Sequence, residues 1–299
     1  MPSDPHLTWN LISDLHQAWS LPSMVNAYRA GTIIAVAAGI TGWFLILRRA
    51  TFAAHTVAAA GFPGAAGAVL LGLSASWGYY GFCVAAALAI AAVAAPGGSG
   101  PGSESAVTGV VQAFTLSCGM LFVSLYRGFL NGVNALLFGT FLGITEGEVR
   151  VVALVAVVVV VVLAVLGRPL LFASVDPTVA AARGLPVRLL GIVYLVTLAI
   201  AVAQISQITG SLLVFALLVT PAATAQRITA RPGVGLFLSV VIALLVTWLG
   251  LGAAYFSPYP TGFFITTFAF VAWVAATACR AAADRLSRIC ATGDRQAAA

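Results

Sequence analysis

VVALVAVVVVVVLAVLG, residues 151–167, runs directly into RPLLFASVDPTVAAARGLP, residues 168–186. The first stretch carries no polar side chain and approaches the length of about 20 apolar residues that a membrane-spanning helix needs. The second cannot be a span. Asp176 suits an N-cap, and Pro177 suits the first helical position, where its missing N–H costs nothing. Gly184 fits the left-handed residue after a last turn, and Pro186 blocks continuation. The punctuation predicts a short helix over Pro177–Arg183, about two turns or roughly 10 Å long. A second apolar segment, Leu189–Ala203, follows it. A short capped helix between two spans is either a connector or a rigid docking element.

The composition extends the membrane reading to the whole chain. Of 299 residues, 61% are hydrophobic and 7% charged, with a mean hydropathy of +1.06. A soluble domain carries about 25% charge, so this chain could not cover a soluble surface. All basic residues are Arg, and the net charge of +6 reads as loop arginines that set orientation rather than as a nucleic-acid surface. No nucleic-acid partner is expected. The cysteines Cys83, Cys118, Cys279 and Cys290 are scattered, and buried thiols are expected in preference to disulfides or a zinc site. No signal peptide is evident in the polar, aromatic start of the chain. Trp9, Leu11, Ile12, Leu15 and Trp19 fit an interfacial amphipathic segment or a disordered tail.

Taken in order, the predicted spans are Val25–Leu47, Phe52–Leu73, Gly78–Ala95, Ala106–Tyr126, Val151–Gly167, Leu189–Gln204, Gly210–Ile228, Gly235–Phe256 and Thr261–Arg280. PGGSGPGSES, residues 96–105, reads as a loop. NGVNALLFGTFLGIT, residues 131–145, is too short and Gly-rich for a span and reads as a re-entrant or interfacial helix. The expectation is an all-α polytopic bundle of eight or nine spans: a polar N-terminal tail (1–24), one membrane domain (25–280) and a cytoplasmic C-terminal tail (281–299). With the capped helix in the cytoplasm, eleven arginines fall inside and three (Arg29, Arg127, Arg150) outside, as the positive-inside rule requires. No clean internal repeat is visible, which argues weakly against an inverted-repeat transporter.

Ionisable residues within spans are rare and usually functional. The second span, FAAHTVAAAGFPGAAGAVLLG, contributes His55. Thr56, Ala60, Gly64, Ala68 and Gly72 recur every four residues and form a small-residue face for close packing. His55, Ala59, Pro63 and Gly67 form the adjacent row, and Pro63 frees the carbonyl of Ala59. His55 either hydrogen-bonds a neighbouring helix or lies on a substrate path. QISQITGSLLVFALLVTPAATAQ, residues 204–226, is broken at Gly210 and again at Pro221, amid Gln204, Ser206, Gln207, Thr209, Ser211, Thr220 and Thr224. Irregular backbone at membrane depth is tolerated only where it lines a cavity or is buried in protein, so this segment is a packing kink or a pathway lining. Glu146 and Glu148 read as rim residues, open to a docking protein or to cations. Walker A, GxSxG and HExxH motifs are absent, so no ATP hydrolysis or other catalysis is expected of this chain.

ITGSLLVFALLVTPAATA, residues 208–225, resembles the hallmark segment of permeases of the zinc/manganese/iron class of ABC importers. LRR at 47–49, TF at 51–52 and PG at 63–64 resemble that family's first-to-second-span motif. FGTFLGIT, 138–145, is similar to its short outer helix, and DPTVAAARGLP, 176–186, to its cytoplasmic coupling segment. The resemblance implies a permease working as a homodimer in a bacterial inner membrane, with the pore at the subunit interface. ABC ATPase subunits hydrolyse ATP below, and an extracytoplasmic metal-binding protein delivers a divalent metal ion from outside. The metal is cargo, and no cofactor is expected on this chain. His55, Pro63, Gln207, Gly210, Thr220 and Pro221 are the expected pathway residues, with His55 as the metal contact. Asp176, Pro177, Arg183 and Gly184 are the expected coupling residues. One departure stands out. The family places an Asp four residues before a His in the second span; here those positions are His55 and Ala59. The alternatives are a permease for a chelated metal or small organic substrate, and an ion-gradient-driven transporter, against which the shortage of acids in the spans argues.

Overall fold

The computed structural model describes residues 21–93, 101–125 and 143–297. Among these the regular structure is helical: α1 (Pro22–Leu47), α2 (Thr51–Leu70), α3 (Ala75–Val93), α4 (Pro101–Leu125), α5 (Glu146–Val175), α6 (Pro177–Ala182), α7 (Val187–Thr209), α8 (Ser211–Ile228), α9 (Pro232–Tyr255) and α10 (Thr261–Ala297). Eight are long and apolar enough to cross a membrane; α8 is a shorter apolar helix. At 18 residues, α8 is about 27 Å long, close to the roughly 30 Å of a bilayer's hydrocarbon core. The chain is a multi-pass membrane protein, with eight such spans among the described residues, or nine with α8.

α1 packs against α9, α8 and α5, and α7 packs against α3, α5 and α2. α2 is wedged between α3 and α4, and α10 lies outside against α8 and α9. α4, α5 and α10 turn apolar side chains outward, among them Val110, Phe114, Met120, Val161, Val165, Phe263 and Phe270. In lipid this exposure costs little, and helices associate through close packing and polar contacts rather than through the hydrophobic effect.

The small-residue face of α2 does what its spacing predicts from Thr56 to Ala68, whereas Gly72 lies beyond the helix end, exposed and with φ 74°. Thr56, Ala60, Gly64 and Ala68 are all buried. The α2 and α3 backbones meet at Gly64 and Gly78, where a Cβ on either would collide with the other's carbonyl oxygen. Thr56 Oγ1 donates to Gln112 Oε1 of α4 at 3.1 Å. α1 meets α8 in the same way, at Gly42 against the Leu218 carbonyl.

Several boundaries differ from the sequence reading. α1 starts at Pro22, taking in part of the expected tail; Trp9, Leu11, Ile12, Leu15 and Trp19 lie outside the described residues. Residues 101–105, expected in a loop, form the first turn of α4, with Pro101 at its start. Most of the expected outer helix 131–145 lies outside the described residues. α5 runs through Arg168 and Pro169 to Val175. At 30 residues it is about 45 Å long and outreaches the hydrocarbon core. α7 continues past Gln204 to Thr209, and α10 continues through the expected C-terminal tail to Ala297. Cys83 is buried and its thiol faces the Val57 carbonyl at 3.3 Å. Cys118 is half-buried, and Cys279 is exposed against expectation, because it sits on the outward side of α10; all three are free thiols.

Candidate transport pathway and docking segment

His55 sits one turn into α2 and is exposed. Its ring meets Phe215 of α8 edge-on, with centroids 5.4 Å apart. The imidazole is therefore held at an α2–α8 corner by a ring contact and presented outward. Pro63, two turns further along α2, is buried, and α4 comes close to it at Gly119. Pro63 belongs to the packing between α2 and α4, on a different side from the open corner.

α8 has two sides. Leu213, Val214, Leu217, Leu218, Pro221, Ala222 and Ala225 are buried, while Phe215, Ala216, Val219, Thr220 and Ala223 are half-buried. Thr220 thus shares the open side with Phe215, and its carbonyl accepts from Thr224 Oγ1 at 2.7 Å. Pro221 lies on the buried side, where its ring nitrogen cannot donate to the Leu217 carbonyl.

α7 and α8 are separated by Gly210 alone. Gly210 has φ 81° and ψ 154°, a combination essentially restricted to glycine. Its N–H donates to the Ser206 carbonyl at 2.8 Å, and its carbonyl accepts from Thr209 Oγ1 at 3.3 Å. The break is buried, and the Thr209 hydroxyl also reaches the Ile205 carbonyl at 2.9 Å, so the polar groups here are turned onto the protein, as membrane depth demands. Gln207 folds back, Nε2 donating to the Ala203 carbonyl at 3.3 Å. Gln204 bridges helices by accepting from Tyr80 Oη of α3, and Gln207 is a second side-chain partner of that hydroxyl. Tyr80 is a residue the sequence reading missed; its only signal was a pair of tyrosines at the start of a span.

The structure brings His55 and Phe215 to one corner; Thr220 lies five residues further along α8, and Gly210 stands at the head of that helix. Among the described residues no group of three His, Cys, Asp or Glu is placed to hold a metal ion. All eight acidic residues lie outside the predicted spans. A single imidazole is a weak ligand for a divalent cation, suited to passage more than to storage.

The second candidate region is α6. Asp176 caps it: Oδ1 accepts from Thr178 Oγ1 at 2.6 Å and from the N–H groups of Val179 and Thr178 at 3.0 and 3.1 Å. The Thr178 hydroxyl first, and the Val179 amide next, hold the Asp176 carboxyl below the usual carboxylate range. Pro177 occupies the first position. Gly184 ends the helix at φ 80°, with its N–H on the Ala181 carbonyl at 2.9 Å. Ala180 is buried against the bundle, while Thr178, Val179, Ala181, Ala182 and Arg183 are exposed. Arg183 also leans over the Phe172 ring at 5.9 Å. α6 is thus a small, doubly terminated helix with one face on the bundle and one face free.

Glu148 has a structural task at the opposite end of α5. It completes a capping box, with its carboxylate accepting from the Thr145 N–H at 2.8 Å and the Thr145 hydroxyl facing the Glu148 N–H at 3.3 Å. Asn26 Nδ2 reaches the Ile144 carbonyl at 3.4 Å, so α1 begins at the end where α5 begins. α6 is at the other end, with Arg48, Arg49 and Arg188.

A family model described as the ABC 3 transport family matches residues 20–280. The manganese transport system membrane protein MntC of Halalkalibacterium halodurans is 28% identical over 250 residues, 83% of each chain. The chelated iron transport system membrane protein YfeC of Yersinia pestis is 28% identical over 253 residues, 85% of each. Among solved structures, PsaBC from Streptococcus pneumoniae in complex with Fab superposes with a TM-score of 0.78. It is 23% identical, covering 89% of this chain and 95% of that one, and shares the fold.

Proposed function

The chain belongs to the ABC 3 transport family, and from that premise we propose that it is the permease subunit of an ATP-driven importer of a divalent metal ion, manganese, iron or zinc. Its work is alternating access rather than catalysis: ATP is bound and hydrolysed on a partner ATPase subunit. An extracytoplasmic metal-binding protein hands over the ion, two copies of the chain enclose the path, and the complex sits in the plasma membrane. The observation that carries this reading is the extent of the family match. It takes in the whole bundle, including the α2–α8 corner and the capped α6.

Within this reading His55 is the cargo-facing ligand, and its counterpart in the second copy supplies another nitrogen. Gly210, Thr220 and Pro221 shape the moving wall, with Gln207 beside the break and Pro63 kinking the helix that carries His55. Asp176, Pro177, Arg183 and Gly184 form and present the ATPase dock. A chelated metal is the second reading. It is favoured by the lone imidazole among predicted spans without carboxylates, and YfeC bears the name of a chelated iron system.

The test is uptake of manganese, iron and zinc into proteoliposomes holding the permease, its ATPase and the delivery protein. ATP-dependent uptake of at least one free ion is expected. Uptake of chelates alone would favour the second reading. Uptake that persists without the ATPase would overturn both.

A further inference from the structure

Arg48 stands where three parts of the molecule meet: the end of α1, the base of α7 and the elbow that leads into α2. It is the C-cap residue of α1, its amide bonded to the carbonyls of Phe44 and Ile46. Its guanidinium lies over the ring of Tyr194 in α7, 5.1 Å from the centroid. Tyr194 is 1% exposed, and its Oη faces the Thr41 carbonyl of α1 at 3.4 Å. Gly191, one turn nearer α6, leaves room for the guanidinium: a Cβ there would lie 3.4 Å from an Arg48 Nη atom. A longer side chain would take the arginine's place.

The elbow that follows Arg48 is shaped to lead into α2. Arg49 is the one non-glycine residue with positive φ (56°) among the described residues, a conformation L-residues adopt only under constraint. The Ala50 N–H closes the turn on the Leu45 carbonyl at 3.1 Å. α2 starts at Thr51, and His55 follows one turn later. On the other side, only Gly184, Leu185 and Pro186 separate the Arg183 cap of α6 from the start of α7. Any displacement of α6 that moves the base of α7 carries Tyr194 with it. A cation held over an aromatic ring in a partly dry site resists separation.

We infer that Arg48 is a positioning residue that ties the base of α7 to the α1–α2 elbow, so that movement of the docking helix α6 is delivered to the helix bearing His55. This rests on the importer reading above. The direct path from α6 to α8 runs the length of α7, whereas Arg48 gives α6 a short route to the other half of the corner.

The experiment uses the full complex in proteoliposomes and measures metal ions imported per ATP hydrolysed, together with ATPase co-purification. Arg48→Met removes the cation, Gly191→Leu displaces it, and Arg48→Lys keeps a charge over the ring. Arg48→Met and Gly191→Leu are expected to lower the ratio by about tenfold while the ATPase still binds and hydrolyses. Arg48→Lys is expected to recover at least part of the ratio. Should Arg48→Met fail to assemble, Gly191→Leu decides, since it keeps the arginine in the chain and only displaces its guanidinium from the ring. A wild-type ratio in Gly191→Leu overturns the inference. So does a loss of hydrolysis in step with import that Arg48→Lys does not relieve, because that marks a fold residue. A wild-type complex that imports no metal overturns the importer reading itself.

Discussion

Gly184 and Gly210 have nearly the same backbone twist, φ 80° and φ 81°, and opposite surroundings. Gly184 is exposed, and a Cβ added there would meet nothing within 4 Å. Gly210 is buried between two apolar helices, with ψ at 154°. At the surface, positive φ merely stops α6, and the carbonyls of Ala180 and Ala181 accept from the N–H groups of Leu185 and Gly184. At membrane depth the same break must be served by protein, and the Ser206 carbonyl takes the Gly210 N–H. The surface corner is an independent module, built from its own residues. The buried corner is a joint whose geometry depends on the helices around it. Substitutions should therefore act locally on α6 and globally on the α7–α8 break.

The largest effect belongs to Gly210. Alanine there forces an L-residue into a region that costs on the order of 1–3 kcal/mol, and valine adds bulk in a packed site. Gly210→Val is expected to abolish ATP-driven metal uptake and to lower the thermal midpoint in detergent. Uptake at the wild-type rate would show that the break is incidental to transport.

His55→Ala comes next and separates function from packing. The imidazole is exposed and meets the Phe215 ring edge-on. Stability should change by less than about 0.5 kcal/mol, the range of substitutions away from special features. Uptake should fall severalfold or more, with His55→Asp partly restoring it and shifting the metal preference. Unchanged uptake of manganese, iron and zinc in His55→Ala would take His55 off the path.

The same contrast explains what could be read from the sequence. α6 was legible almost to the residue because its signals are local: an Asp cap, a Pro at the first position and a Gly beyond the last turn. The stripe from Thr56 to Ala68 was legible because helical period alone puts those positions on one face. The break at Gly210 was legible as a break. The partners across helices were not, because Tyr80 with Gln204 and Arg48 with Tyr194 are joined only by the way the bundle closes, and no spacing in the chain records that. Helix ends also escaped wherever polar residues continue a helix beyond the bilayer. α5 passes Arg168 and Pro169, and α10 runs on through Arg285 and Arg288, because a helix needs no apolar face once it leaves the membrane. His55 was found by composition, but its outward presentation beside Phe215 required the coordinates.

Gly184→Ala should be milder than Gly210→Val. The alanine costs about 1–2 kcal/mol in the left-handed region and collides with nothing. If α6 must keep its shape to be bound, that cost appears as roughly fivefold to thirtyfold weaker ATPase association, while the permease alone keeps its stability. Unweakened association would show that the partner does not read the end of α6.

The smallest effect is expected at Asp176, and it tells a docking helix from a connector. The hydrogen bonds from Thr178 and Val179 favour the ionised carboxylate and lower its pKa in the folded chain. A group lowered on folding contributes fully above its unfolded value and loses that contribution as pH falls through the folded one. ATPase association should therefore be insensitive to this group across the physiological range, and weaken through it only on acidification below about pH 4. Asp176→Asn keeps an acceptor oxygen and removes the titration, so its association at neutral pH should stay close to wild type. Asp176→Ala removes the cap at every pH and should bind the ATPase measurably more weakly, by less than Gly184→Ala. If Asn is as poor as Ala, the partner recognises the charge rather than the capped helix. If Ala binds like wild type, α6 merely connects α5 to α7, and the docking surface must be sought elsewhere on the cytoplasmic end.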